Sequence, residues 1–395
     1  MRALARAALF LVIGLILAAT LLPTGTVRVE GGWVRCLVCG SRGTADVIAN
    51  LLLFLPLGAA LALLRGTGKQ TFLFAAVLST SIELAQEYVP GRQSSLPDVL
   101  LNTAGALLGV ALARSAPRWI ASGGRAAGRL SLAAAGAFAG TVALTGYLLA
   151  PSLPDTLYFG QGTARLAHLQ PYLGSVSDAR VGGERLTYTG GAWSARVRTA
   201  LLADAPIVIR GVAGPLPPAL APIVSVHDQW EREIVLVGTA GGDLVFRRRT
   251  RAADARLDVP DLRAVDALRG VPAGAPLEIV VSGGGHCISV NDRRECGLGF
   301  TAGSGWGLLL YVDSLPAWMK ALANAGWLAL LALPLGLWLR RRPESLAGFA
   351  TMAAALALLP AYAGLLATPP LEWLGAGAGL AAGLALHRLL APRAA

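Results

Sequence analysis

A chain of 395 residues with 54% hydrophobic and 14% charged residues, at a mean hydropathy of +0.58, is too apolar for an ordinary soluble protein. The formal net charge is +11, but many arginines stand at the ends of apolar runs rather than on one continuous basic face. That placement argues against a nucleic-acid partner and for a protein oriented in a membrane.

The apolar residues collect in runs of about 17–25, the length a helix needs to cross the hydrocarbon core. Eight spans are expected, at 6–23, 46–64, 70–89, 98–114, 130–150, 317–339, 345–367 and 371–390. The first run also fits a cleavable signal, with a short basic start and a Leu-Ala-Ala-Thr end. With the N-terminus inside, the cytoplasmic segments hold Arg2, Arg6, Arg65, Lys69, Arg114, Arg118, Arg125, Arg129, Arg340, Arg341, Arg342, Arg388 and Arg393. The short outer loops hold only Arg28, Arg35, Arg42 and Arg92. The positive-inside rule then places both termini in the cytoplasm and residues 151–316 outside.

Polar residues interrupt the early spans in a pattern. Asp-Val-x-x-Asn occurs at Asp46/Asn50 and again at Asp98/Asn102, and Glu83, Gln86 and Glu87 lie between the two copies. Each Asn falls one turn below its Asp, about 6 Å along the axis and on the same face. The third span runs the opposite way, so its Glu83, Gln86 and Glu87 reach the same depth, under a loop carrying Arg92, Ser94 and Ser95. Carboxylates and amides are expensive in a bilayer and usually face a protein interior with work to do there. Asp46 and Asp98 can also be read as helix caps, and the deeper residues as hydrogen bonds between helices. The ligand-facing reading allows a divalent cation on oxygen ligands, a sugar or amine headgroup, or an acid/base pair.

All four cysteines fall outside on this topology, where an oxidising compartment permits disulfides. Cys36 and Cys39 lack a second Cys-x-x-Cys or a nearby histidine, so a local disulfide or free thiols is favoured over a metal or redox site. Beyond residue 151 charge returns, and short β-type runs appear at 193–201, 206–212, 222–228, 233–239, 243–250, 276–283, 286–290 and 305–313. Strands at this spacing suggest an antiparallel β-sandwich, with Gly241-Gly242 as one hairpin turn. If Asn291-Asp292 is a two-residue turn, Val290 pairs with Arg293 and Cys287 with Cys296. The latter is a non-hydrogen-bonded position whose Cα separation of about 4.5 Å suits a disulfide. His227, Asp228 and Trp230 are a candidate contact patch, though an ordinary turn accounts for them, and Glu231–Glu233 read as a solvated edge.

The expected fold is thus a polytopic α-helical membrane protein of about eight spans with an inserted extracytoplasmic antiparallel β-sandwich. Its parts are 1–115, a helical bundle; 116–150, a cytoplasmic loop and fifth helix; 151–316, the sandwich; and 317–395, the closing helices. The ordered series Cys-Leu-Val-Cys-Gly, Asp46-to-Gly58, Ser81-Ile-Glu-Leu-Ala-Gln86 and Arg92, Ser95, Asp98, Asn102, Gly105, Gly109 resembles the VanZ-like family of bacterial membrane proteins over residues 5–115. The positions carried over are Asp46, Asn50, Pro56, Gly58, Glu83, Gln86, Arg92, Ser95, Asp98 and Asn102. That family takes its name from a teicoplanin-resistance accessory protein, so the likeness implies an envelope role in the bacterial inner membrane without supplying a reaction. The segment 224–250 and the hairpin at 288–296 are similar to concanavalin A-like or laminin-G-like sandwiches, which implies glycan binding.

These readings converge on recognition or modification of a glycan or lipid-linked envelope precursor at the outer leaflet. Whether the chain is an enzyme stays open. Its rivals are a metal-assisted hydrolase or transferase, a membrane-anchored carbohydrate-binding module, and a transporter. The apolar inner halves of the spans argue against the transporter.

Overall fold

The computed structural model describes residues 2–23, 33–34, 36–38, 40–120, 122–163, 166, 169–186, 189–310, 315–339 and 343–390. Long helices stand at each of the eight apolar runs: α1 (Arg2–Leu21), α2 (Gly43–Leu63), α3 (Gly68–Gln86), α4 (Leu96–Ile120) and α5 (Gly124–Leu149), then α8 (Ala317–Trp338), α9 (Pro343–Tyr362) and α10 (Pro370–Leu390). Five of them, α2, α4, α5, α8 and α9, are long and apolar enough to cross a membrane. The apolar part of α1, Ala5–Leu21, is shorter, and α3 and α10 fall short because polar residues dilute them: Lys69, Gln70, Glu83 and Gln86 in α3, and Glu372, His387 and Arg388 in α10. The sequence-based expectation of about eight spans is therefore met by five helices on this criterion.

The helices leave many large apolar side chains exposed. Phe10, Leu11, Phe72, Leu100 and Leu358 all point outward, the reverse of a water-soluble surface. Inside, they form two bundles, each with its own core. Ile16, Phe54, Leu57, Ala75, Ile82 and Ala106 bind α1–α4 together. Phe138, Val142, Leu328, Leu335, Met352, Leu356 and Leu380 do the same for α5 and α8–α10. The glycine-rich start of α10 serves close packing, as its composition implies: Gly375, Gly379 and Gly383 lie against backbone carbonyls of α8.

Between α5 and α8 the chain forms two antiparallel sheets. In chain order the elements are β1 (Tyr158–Gly162), β2 (Ser175–Val181), β3 (Glu184–Arg185), α6 (Gly191–Leu202), β4 (Ile207–Val212), β5 (Ala221–Asp228), β6 (Glu233–Ala240), β7 (Asp243–Arg248), α7 (Arg251–Asp254), β8 (Leu262–Ala264), β9 (Pro276–Ser282), β10 (Cys287–Val290) and β11 (Arg293–Cys296). One sheet has the order β1-β5-β6-β7-β8 and the other β11-β10-β9-β4-β2-β3. Apolar side chains from both, among them Val226, Val237, Phe246, Ile209, Ile279 and Ile288, share one buried core.

Two expected strands are not strands. Residues 193–201 lie in α6, because Trp193, Val197 and Leu201 recur every four residues and bury one helical face. Residues 302–308, within the run expected at 305–313, form a 3-10 helix. Glycine at 303, 305 and 307 leaves no alternating side chains for a sheet to bury, and residues 311–313 lie outside the described residues. The two hairpins follow expectation: Ala240 pairs with Asp243 around Gly241-Gly242, and Val290 with Arg293 around Asn291-Asp292. In the second, Cys287 faces Cys296 at a Cα separation of 4.1 Å, and the two form a disulfide. Cys36 is also disulfide-bonded, while Cys39 lies outside the described residues.

The segment around Asp228 is a tightly bonded turn. Its carboxylate is fully buried and accepts the backbone N–H groups of Trp230 and Arg232, both at 3.0 Å, and the Arg232 guanidinium at 2.7 Å. Burial pushes this carboxyl up, but those donors together outweigh it and hold the group below its usual range. His227 stacks on Phe159 instead of facing outward. Glu231 and Arg232 are exposed, as a solvated edge requires, while Glu233 is half-buried and paired with Arg247 at 3.4 Å.

Candidate functional site

A cavity of about 1530 Å³ lies between the two helical bundles. All eight candidate residues line it: Asp46 and Asn50 from α2, Glu83 and Gln86 from α3, Arg92 and Ser95 from the following loop, and Asp98 and Asn102 from α4. The opposite wall is apolar and comes from the second bundle and the segment leading into it, with Trp306, Leu309, Trp327, Leu330 and Leu333.

Local chemistry fixes each polar group. Glu83, only 1% exposed, accepts the Ser95 backbone N–H at 2.7 Å, and its own backbone carbonyl accepts the Ser94 hydroxyl at 2.6 Å. Glu83 thereby holds the loop that opens α4. Ser95 caps α4, accepting the Asp98 N–H at 3.4 Å and donating its hydroxyl to the Asp98 carboxylate at 2.9 Å. The cap is therefore Ser95, and Asp98 is left to face the cavity, where Asn50 also hydrogen-bonds it. Asp46 is no cap either. The free N–H groups of Thr44 and Ala45 donate instead to the carbonyl of Arg256, at 3.1 and 3.3 Å, so the β-rich domain closes the start of α2.

The cations are committed elsewhere. Arg92 donates to the carbonyls of Leu22 (3.1 Å) and Ala19 (2.7 Å) at the end of α1, and burial pulls its guanidinium below the usual range. Arg42 pairs with Asp258 at 2.7 Å. Gln86 donates to the Thr20 carbonyl at 3.0 Å. Asp46, Asp98 and Glu83 lie along the same wall of the cavity. The cavity thus carries an acidic wall rich in acceptors.

Asn102 is the most telling member. It is 2% exposed and its amide donates to the Ser79 hydroxyl at 2.9 Å, yet its side-chain oxygen is buried without a partner. A buried acceptor left unpaired costs about 1–3 kcal/mol, so a donor supplied by a ligand would relieve it. Glu87, grouped with these residues by sequence, lies apart and accepts the Trp33 indole N–H at 2.6 Å. Among the described residues no three His, Cys, Asp or Glu side chains come together as a metal-binding set.

Residues 8–119 match the VanZ/LLP1 family model. The match takes in the whole polar wall and stops before the second bundle, so the apolar wall lies outside the VanZ/LLP1 domain. No curated protein and no solved structure matches the chain. The chain is a multi-pass membrane protein carrying a VanZ-type domain. Sequence reasoning missed the apolar wall, because Trp306 and the α8 leucines carry no polar signature that separates cavity lining from packing.

Proposed function

We propose that this protein binds a lipid-linked glycan of the bacterial cell envelope at the outer leaflet of the inner membrane. Both termini are then cytoplasmic and the region 151–316 is extracytoplasmic, as the arginine distribution favours. The reading rests on a single feature, a cavity with one acidic, acceptor-rich wall and one apolar wall. A glycosyl headgroup brings hydroxyl donors to Asp46, Asn50, Asp98 and the unpaired oxygen of Asn102, while its acyl chains lie along Leu330 and Leu333. A phosphate is disfavoured next to these acids, because both arginines of the lining already have partners. The two sheets are read as a sandwich of concanavalin A-like kind that presents or gathers glycan at the rim. A glycopeptide-resistance-like role is one envelope function such binding would serve.

The test is native mass spectrometry of the full chain purified in mild detergent. The wild type is expected to retain a glycosylated lipid that Asp46→Asn and Asp98→Asn lose at unchanged expression and melting temperature. Equal retention by both variants would overturn the reading. A catalytic extension of the site would show as turnover of that lipid, lost in the same variants.

A further inference from the structure

The contacts between α2 and α4 recur, position for position, between α8 and α10. A Cβ built on Gly58 would stand 1.8 Å from the carbonyl oxygen of Ala106, and one on Gly336 would stand 2.2 Å from that of Leu380. Gly105 meets the Leu51 carbonyl at 2.2 Å as Gly379 meets that of Ala329 at 2.0 Å. Gly109 meets the Leu55 oxygen at 2.0 Å and the Ala59 nitrogen at 3.0 Å, while Gly383 meets those of Leu333 and Leu337 at 2.2 and 2.9 Å. Every α2/α8 correspondence spans 278 positions (Leu55 to Leu333) and every α4/α10 correspondence spans 274 (Gly105 to Gly379). The tetrapeptide Leu-Pro-Leu-Gly fills both 55–58 and 333–336. The flanking helices are looser, with α3 on α4 but α9 on α5.

The same shift carries Asp98 onto Glu372, each in the first turn of its helix. Asp98 takes a hydroxyl from Ser95 and an amide from Asn50 of α2. Glu372, 2% exposed, takes the Thr301 hydroxyl and the Asn324 amide of α8 at 3.1 Å, and also the Gly303 N–H at 3.0 Å. Acid, hydroxyl and helix amide are common to both clusters. They differ in what closes them: Asp98 lines the cavity, whereas residues 301–306 fill the space at Glu372.

That segment is slim enough to enter. A Cβ on Gly303 would come within 2.7 Å of Asn324 and Glu372, and one on Gly305 within 2.6 Å of Thr145 Oγ1. What it brings is Trp306, whose indole N–H donates to Asn324 at 2.7 Å and whose side chain lines the cavity.

We infer that α8 and α10 are a second copy of the α2/α4 helix pair whose acid site has become a socket for the chain's own residues 301–306, and that the socket holds Trp306 on the cavity wall as a stacking surface for a sugar ring. The second half rests on the glycan reading above. A pyranose offers an apolar C–H face to an aromatic ring while its hydroxyls bond the acids opposite, the usual division between aromatic lining and a few placed polar groups.

The test uses the full chain in phosphatidylcholine nanodiscs containing monoglucosyl diacylglycerol or, in parallel, diacylglycerol with the same chains. Native mass spectrometry reads the lipid retained. Trp306→Leu is expected to lower retention of the glucosyl lipid about tenfold without changing that of diacylglycerol, while Trp306→Phe stays near the wild type. Retention unchanged in Trp306→Leu but lost in Asp98→Asn overturns the stacking role and leaves the cavity reading intact. Loss in neither overturns both. The socket has its own readout. The described cysteines include no free thiol, so Ser304→Cys supplies one for maleimide labelling. Labelling is expected to accelerate about tenfold when Thr301→Val or Glu372→Gln is added, since the segment then loses a charge-assisted anchor. Equal labelling rates in all three backgrounds overturn the socket.

Discussion

Replacing Gly105 with alanine tests the close approach on which the polar wall depends. The added Cβ lies 2.2 Å from the Leu51 carbonyl oxygen, a backbone atom with no rotamer to give way. Restoring an ordinary contact separates α2 from α4 by about 1 Å, and overpacking of this kind costs about 1–3 kcal/mol. Alanine recovers about 1 kcal/mol of helix propensity over glycine, which leaves a net loss of about 1–2 kcal/mol at the upper part of that range. At about 2–4 °C per kcal/mol, the thermal midpoint should fall by about 2–8 °C. Gly379→Ala, meeting the Ala329 oxygen at 2.0 Å, should behave alike. Gly136 and Gly140 on α5 have nothing within 4 Å of an added Cβ, so their alanine variants should melt at or slightly above the wild type. Fluorescence-detected size-exclusion after heating the detergent-solubilised chain reads all four. The packing argument is refuted if Gly105→Ala melts with the wild type, or if Gly136→Ala is equally damaging.

Two further predictions concern the outer domain. The Cys287–Cys296 disulfide closes a loop of 9 residues at an edge strand whose four residues are all exposed; loop entropy gives it about 2.6 kcal/mol. The Cys287→Ser/Cys296→Ser double variant should lower the melting temperature while protease cleavage between β10 and β11 rises; unchanged melting would contradict this. Asp228 has its carboxyl held below the ordinary value of 3.8, so its contribution is present above that pH and lost as pH falls through the lower folded value. Asp228→Asn should therefore lose stability at pH 7 and flatten the acid limb below about pH 4 in thermal melts recorded across pH; an acid limb as steep as the wild type's would contradict it.

The acidic wall was legible because ionisable groups inside apolar runs stand out against their surroundings and must be gathered somewhere. The four-residue spacing of Asp and Asn gave their shared faces, and the hairpin register followed from a two-residue turn and a period of two. The Glu372 cluster was not legible in the same way. It follows Pro369-Pro370 and reads as a residue at a membrane edge, and its partners Thr301 and Asn324 lie 71 and 48 positions away. A signal for it existed all the same. Glu372, Gly379 and Gly383 repeat the spacing of Asp98, Gly105 and Gly109. Residues 193–201 misled because Trp, Val and Thr favour strands, and tertiary burial of one helical face overrode that preference.

The candidate cavity takes its walls from both inside and outside the stretch that matches the VanZ/LLP1 model. Without the second bundle, the face that carries Asp46 and Asp98 would lose its cover, and unpaired polar groups and charges are costly in hydrocarbon. The second bundle converts that exposed face into a chamber, and it does so with a helix pair built on the same glycine contacts as the face it covers. The outer domain is joined to the rim at the same place. Arg256 closes the start of α2 through its carbonyl and reaches the Val38 carbonyl with its side chain at 2.6 Å, beside the Arg42–Asp258 pair. Three separate stretches of chain therefore meet around Asp46. A ligand in that cavity would touch the turn of α2 whose N–H groups the β-rich domain holds, so cavity and domain share one set of contacts.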